Sequence, residues 1–164
     1  MSIKQELNRL SSMSEQQALS GQHQNQQEGL MAKMLFVNLP CSNLGAAIGF
    51  YQALGFSQNL QFSDETAACM VWSEHIFVML LTPAKWQSFT SRPLPAQGSS
   101  EVMLALNCDD KQTVDALCNA AGVAGGVSDV MAKQDLGFMY SRSVLDLDGH
   151  IWEFFWMDPT AMAG

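Results

Sequence analysis

The stretch Asp146-Leu147-Asp148-Gly149-His150-Ile151-Trp152-Glu153-Phe154-Phe155-Trp156-Met157 decides how the rest of the chain is read. An Asp-Gly pair is turn chemistry: a short polar side chain that bonds its own backbone, then a residue that tolerates positive φ. The aromatic, apolar run after it suits a strand. One carboxylate, Glu153, stands in the middle of that run. A charge inside an apolar strand is costly to bury unless it is paired or bound to a metal. The first question for this chain is therefore what neutralises Glu153.

The segment before the turn, 137–145, also reads as extended, so Asp146–Gly149 is expected to close a hairpin. A four-residue loop pairs Leu145 with His150 and Arg142 with Glu153. A two-residue loop on Asp148-Gly149 sets Arg142 diagonal to Glu153 on the same face. Opposed Cβ atoms lie about 5 Å apart and diagonal ones about 7–8 Å, both within arginine reach. An Arg142–Glu153 pair is thus expected, with Tyr140 beside Arg142 on the same face. Such a pair either only holds the sheet or reads an anionic or carbonyl group of a small molecule. His150 is three residues from Glu153 and falls on the opposite face of a strand of period two. It reads as a solvent-facing turn residue, as does His75 after Ser73-Glu74.

Working outward, the chain contains a weak internal repeat. Phe36-Val-Asn-Leu-Pro-Cys-Ser-Asn43 overlies Met103-Leu-Ala-Leu-Asn-Cys-Asp-Asp110 at an offset of 67 residues. Each half then reads strand, polar cap, helix. The helix faces agree: Ala47, Phe50, Tyr51 and Leu54 fall on Val114, Leu117, Cys118 and Ala121, both at i, i+3, i+4, i+7. Asn43 and Asp110 stand at the N-caps. Gly55 and Gly122 offer the left-handed residue past each helix. Extended segments follow at 57–62, 66–72 and 75–81 and again at 127–132, 137–145 and 150–157. Each half therefore reads β-α-β-β-β, joined by a loop, Pro83 to Ser100, with room for one helical turn.

Phe36-Val-Asn-Leu-Pro40, the strand pair Ala67–Val71 and Val78–Leu81, and Gly137-Phe-Met-Tyr140 with Arg142-Ser143 and Asp146–Glu153 occur in that order. Together with the repeat, they resemble the vicinal-oxygen-chelate superfamily of glyoxalases, bleomycin-resistance proteins and extradiol dioxygenases. The likeness is nearest to the lactoylglutathione-lyase-related proteins of bacteria and covers residues 33–159. It implies an α+β fold in which two βαβββ modules, 33–82 and 101–159, form a curved mixed β-sheet cup with helices outside. It also implies a divalent-metal site whose ligands come from the first and last strand of each module. Those positions fall on Phe36, on Met103, near Val78 (or Phe77 or Met79, if the register differs by one) and on Glu153. Only Glu153 is a ligand for a hard or borderline ion, and one carboxylate does not hold a catalytic metal. No metal and no cofactor is expected.

Alternate residues would line the cup: Phe36 and Asn38, Met103 and Ala105, Phe138, Tyr140 and Arg142, and Ile151, Glu153 and Phe155. Of these Phe36, Asn38, Met103, Phe138, Tyr140, Arg142, Glu153 and Phe155 form the expected ligand site, mostly apolar with a few convergent polar groups.

Composition bounds the rest. The chain has 164 residues, 48% of them hydrophobic, and a formal net charge of −8. That charge argues against nucleic acid and anionic membranes as partners. No apolar run reaches the ~20 residues of a membrane span. Cys41, Cys69, Cys108 and Cys118 show no CxxC spacing, and the polar N-terminus lacks the apolar core of a signal peptide, so free thiols in the cytoplasm are expected. No G-x-S-x-G, P-loop, dinucleotide or HExxH motif occurs. Residues 1–32 are a polar, Gln-rich leader. Ile3, Leu7 and Leu10 suit a short amphipathic helix, and the repeat begins only after Lys33-Met34. Residues 160–164 are a tail.

The expectation is a cytoplasmic, homodimeric, metal-independent small-molecule-binding protein, with enzymatic activity undetermined. The competing readings are a metal-dependent lyase or isomerase and a non-enzymatic interaction protein whose cup is plugged by its own side chains.

Overall fold

The structure, a computed structural model, describes residues 33–162 except residues 97 and 101. The leader helix expected at Ile3–Leu10 lies outside the described residues.

The first module runs β1 (Leu35–Pro40), α1 (Leu44–Ala53), β2 (Ser57–Asn59), a 3-10 turn at Leu60–Phe62, β3 (Ala67–Ser73) and β4 (Ile76–Leu81). The connection carries α2 (Pro83–Phe89). The second module runs β5 (Met103–Asn107), α3 (Lys111–Val123), β6 (Val127–Ser128), β7 (Gln134–Asp135), β8 (Met139–Leu145) and β9 (Ile151–Met157). The sheets have orders β1-β4-β3-β2 and β5-β9-β8-β6, with β7 also on β8. In each, the first strand pairs parallel with the last, and neither sheet closes on itself. This is the α+β pair of βαβββ modules that the repeat implies, with the strand beside β8 in the second module broken into β6 and β7.

The helices form where the caps and apolar stripes place them. Asn43 accepts from the Ala46 N–H at 3.0 Å and Asp110 from the Thr113 N–H at 2.6 Å. Ala47, Phe50, Tyr51 and Leu54 are buried, as are Val114, Cys118 and Ala121, while Leu117 is only partly so. Gly55 takes the left-handed position after α1, at φ 88. The second helix departs from the repeat: Gly122 lies inside α3, and Gly125, at φ 97, is the left-handed residue. Val123 and Ala124 can continue a helix, so α3 runs until the next glycine.

Leu39, Val78, Leu80, Leu106, Val144, Trp152 and Phe154 turn towards the helices and share one core. The turn found first in the sequence joins the modules. The Ser42 N–H donates to Asp148 at 2.7 Å, and His150 Nε2 donates to the Pro40 carbonyl at 2.8 Å. Tyr51 OH donates to the buried Asp146 at 2.8 Å, and Trp152 Nε1 donates to Tyr51 OH at 3.0 Å. His150 is therefore half-buried and bonded rather than solvent-facing; His75 is exposed, as expected.

Candidate ligand-binding site

Each sheet has a second face, turned away from α1 and α3. On the first sheet it carries Phe36 and Asn38 of β1 beside Phe77 and Met79 of β4. The rings of Phe36 and Phe77 stack 4.6 Å apart at an interplanar angle of 10°. On the second sheet it carries Met103, Ala105 and Asn107 beside Ile151, Glu153 and Phe155. Phe36 and Met103 are about half exposed, at 48% and 54%. The expected lining residues Phe36, Asn38, Met103, Glu153 and Phe155 thus lie on this open side. Phe138 sits half exposed in the bend before β8.

Tyr140 and Arg142 do not join them. The hairpin pairs Leu145 with Ile151 and Ser143 with Glu153, which sets Arg142 opposite Phe154. Five residues, not four or two, lie between the paired ends, and a one-residue change of register turns every side chain to the other face. The expected Arg142–Glu153 pair does not form. Asp146 makes the five-residue turn, taking the Asp148 N–H at 3.0 Å and the His150 N–H at 2.8 Å on one carboxylate oxygen. Gly149 supplies the positive φ of 90.

On the helix side, Arg142 is held by two carboxylates. Its Nε and Nη2 reach the two oxygens of Asp129 at 2.9 and 2.8 Å, and Nη1 reaches Asp115 at 2.9 Å. Tyr140 OH donates to the same Asp115 oxygen at 2.7 Å. The Tyr140 hydroxyl, then Arg142, hold the Asp115 carboxyl below its usual range, and the Arg142 bonds do the same for Asp129. Lys133 and Lys111 lie over the Tyr140 ring at 5.0 and 5.4 Å. Both residues bond carboxylates on the helix side and face away from the open side.

On the open side the polar groups are not committed. Glu153 is half-buried, with Ala105 and Ser143 as its cross-strand neighbours, and has no hydrogen-bond partner among the described residues. Asn38, exposed on β1, borders a cleft of about 410 Å³ whose other wall is Trp86, Phe89 and Thr90 of α2 and its end. Trp86 Nε1 is buried without an acceptor, the one such side-chain atom among the described residues. This wall comes from the connection read as a loop with room for one helical turn, where a helix of seven residues forms. The signal for it was present: Thr82 caps the Lys85 N–H, Pro83 follows at the first helical position, and Trp86 and Phe89 are three apart. A second depression, about 450 Å³ between the end of α1 and the start of α3, holds no unpaired buried polar group.

No family model and no curated protein sequence matches the chain. Solved structures do. A hypothetical protein from S. aureus is 28% identical over 79% of this chain and 96% of that one, with a TM-score of 0.65. A glyoxalase/bleomycin resistance protein/dioxygenase family enzyme from Burkholderia phytofirmans is 17% identical over 77% and 99%, with a TM-score of 0.64. A lactoylglutathione lyase from Agrobacterium tumefaciens is 18% identical over 82% and 98%, with a TM-score of 0.57. The chain has the vicinal-oxygen-chelate fold.

On the vicinal-oxygen-chelate fold, the expected ligand positions can now be placed by register. The pairing of β1 with β4 and of β5 with β9 sets Met79 on the open side where Glu153 lies in the second module; Val78, fully buried, points into the core. Phe36, Met79, Met103 and Glu153 thus occupy the four positions. Among the described residues no three His, Cys, Asp or Glu side chains converge as a metal set. These side chains do not fit a divalent centre built from three or more protein ligands. Burial pushes the thiols of Cys41, Cys108 and Cys118 up to about 11, which makes them poor nucleophiles. Among the described residues no helix is long and apolar enough to cross a membrane.

Proposed function

We propose that this chain is a small-molecule-binding protein that works without a metal, and that its site is the cleft between β1 and α2. The observation that carries this reading is the cleft itself. Aromatic walls, an exposed amide and an indole N–H unpaired among the described residues are the makeup of a ligand pocket, mostly apolar with few polar groups. The donor set around Glu153 supports the metal-free part.

The test is a thermal-shift screen of neutral bicyclic aromatic compounds with and without a chelator, joined to elemental analysis. The expected result is stabilisation that the chelator leaves unchanged and that Asn38→Trp, which fills the cleft, abolishes. Stabilisation lost with chelator, restored by Zn²⁺, Ni²⁺ or Mn²⁺ and absent in Glu153→Ala would instead favour the metal-dependent lyase or isomerase.

The assembly belongs to the same proposal. β1 and β5 are edge strands, flanked by the exposed Leu35, Phe36, Val102 and Met103. Unprotected apolar edges invite pairing with a second copy. Sedimentation is expected to give a homodimer; a single 18.0 kDa species at high concentration would rule it out.

A further inference from the structure

We infer that Trp86 is a specificity-determining residue, and that the cleft takes a flat, apolar molecule bearing an uncharged carbonyl, whose oxygen accepts from Trp86 Nε1–H. This rests on the reading of the cleft as a binding site. Three observations lead to it. A buried N–H with no acceptor carries its full desolvation cost, and Trp86 Nε1 is in that state. The ring that bears it lines the cleft. The helix that bears the ring is lightly held: no residue of α2 is fully buried, so the indole can tip into the cleft at little cost.

The chemistry of the acceptor follows from the donor and the walls. Lys85, next to Trp86 in sequence, lies over the Phe89 ring at 5.5 Å. Holding a carboxylate or phosphate against aromatic walls with one neutral N–H as its partner is costly, which leaves a neutral ketone or amide. The Asn38 amide, on the facing wall, supplies a second donor or acceptor for the same polar end. The volume, about 410 Å³, suits a two-ring molecule.

The experiment uses a matched pair, 2-acetylnaphthalene and 2-isopropylnaphthalene, titrated into the full chain and followed by the indole N–H signals in ¹⁵N–¹H spectra. Trp86→Phe assigns the Trp86 signal and removes the donor while keeping a ring. The ketone is expected to move the Trp86 N–H signal downfield. Trp86→Phe is expected to weaken the ketone about fivefold, the factor set by one neutral hydrogen bond, and to change the hydrocarbon less than about twofold. Ketone and hydrocarbon weakened alike, or ketone bound with the Trp86 signal unmoved, overturns the inference and leaves the cleft reading intact. The signal in the unsubstituted protein decides this even where the variant folds poorly. Failure of both compounds to bind the unsubstituted protein overturns the cleft reading and the inference with it.

Discussion

Trp152 and Trp86 carry the same indole N–H into two opposite situations. Trp152 Nε1 donates to Tyr51, which donates to Asp146, which also takes two backbone N–H groups of its own turn. Every member of that chain is buried and partnered, and the chain ties the second module to the first. Trp86 Nε1 is buried with no acceptor among the described residues, on a short helix beside a cleft. Buried polar groups are partnered almost everywhere in folded proteins because orphaning one costs more than pairing one gains. The exception therefore marks where the molecule departs from its most stable arrangement, and such departures gather at functional sites.

The largest expected effect comes from cutting the partnered side. Asp146→Ala orphans the Tyr51 hydroxyl and the N–H groups of Asp148 and His150. At ~1–3 kcal/mol for each buried orphan, partly rescued by water, the loss is about 4 kcal/mol. Urea unfolding measures it. A loss under about 1 kcal/mol would mean the turn is not the joint between the modules.

Next come the two sides of the β8–β9 hairpin. Arg142→Met strands Asp115 and Asp129 and should cost about 2 kcal/mol. Asp115 and Asp129 have carboxyls held below their usual range. The stability they give is full above about pH 4 and is lost as pH falls through their lowered values. Arg142→Met should flatten that acid limb. Glu153→Leu, on the other face, should change stability little, and in a double-mutant cycle the two substitutions should add within ~0.5 kcal/mol. A coupling above ~1 kcal/mol would place Arg142 and Glu153 on one face and break the register described above.

The smallest effect sharpens the comparison most. Trp152→Phe should destabilise by ~1–2 kcal/mol, from a lost hydrogen bond and a smaller ring. The same substitution at Trp86 should be neutral or stabilise by up to ~1 kcal/mol, since it removes an orphan. Equal losses at both positions would show that Trp86 Nε1 has a partner in solution.

Much of the fold was legible because it is written in local chemistry. Asn43 and Asp110 cap their helices by side chains that reach three residues ahead, and the stripes around Phe50 and Cys118 follow the helical period. The hairpin was legible only as a hairpin. Whether its loop holds four residues or five is decided by which bonds Asp146 makes once Tyr51 and Trp152 close around it, and Tyr51 lies 95 residues from Asp146 and 101 from Trp152 in sequence. That single residue carried Arg142 and Tyr140 to the wrong side of the sheet. The cleft wall on α2 was missed because two turns of helix inside a Pro- and Ser-rich connection leave a weak periodic signal.

By itself, then, the sequence determined the pair of βαβββ modules, their caps and apolar faces, and the single charged residue, Glu153, on an apolar strand. These depend on neighbours within a few residues, where propensity, capping and periodicity act. Tertiary structure alone decided which face each side chain of β8 takes, that the Asp146 turn binds one module to the other, and that a helix from the linker faces Asn38 across a cleft and leaves one indole N–H without a partner among the described residues. Those depend on register and on burial, which exist only once distant segments have met.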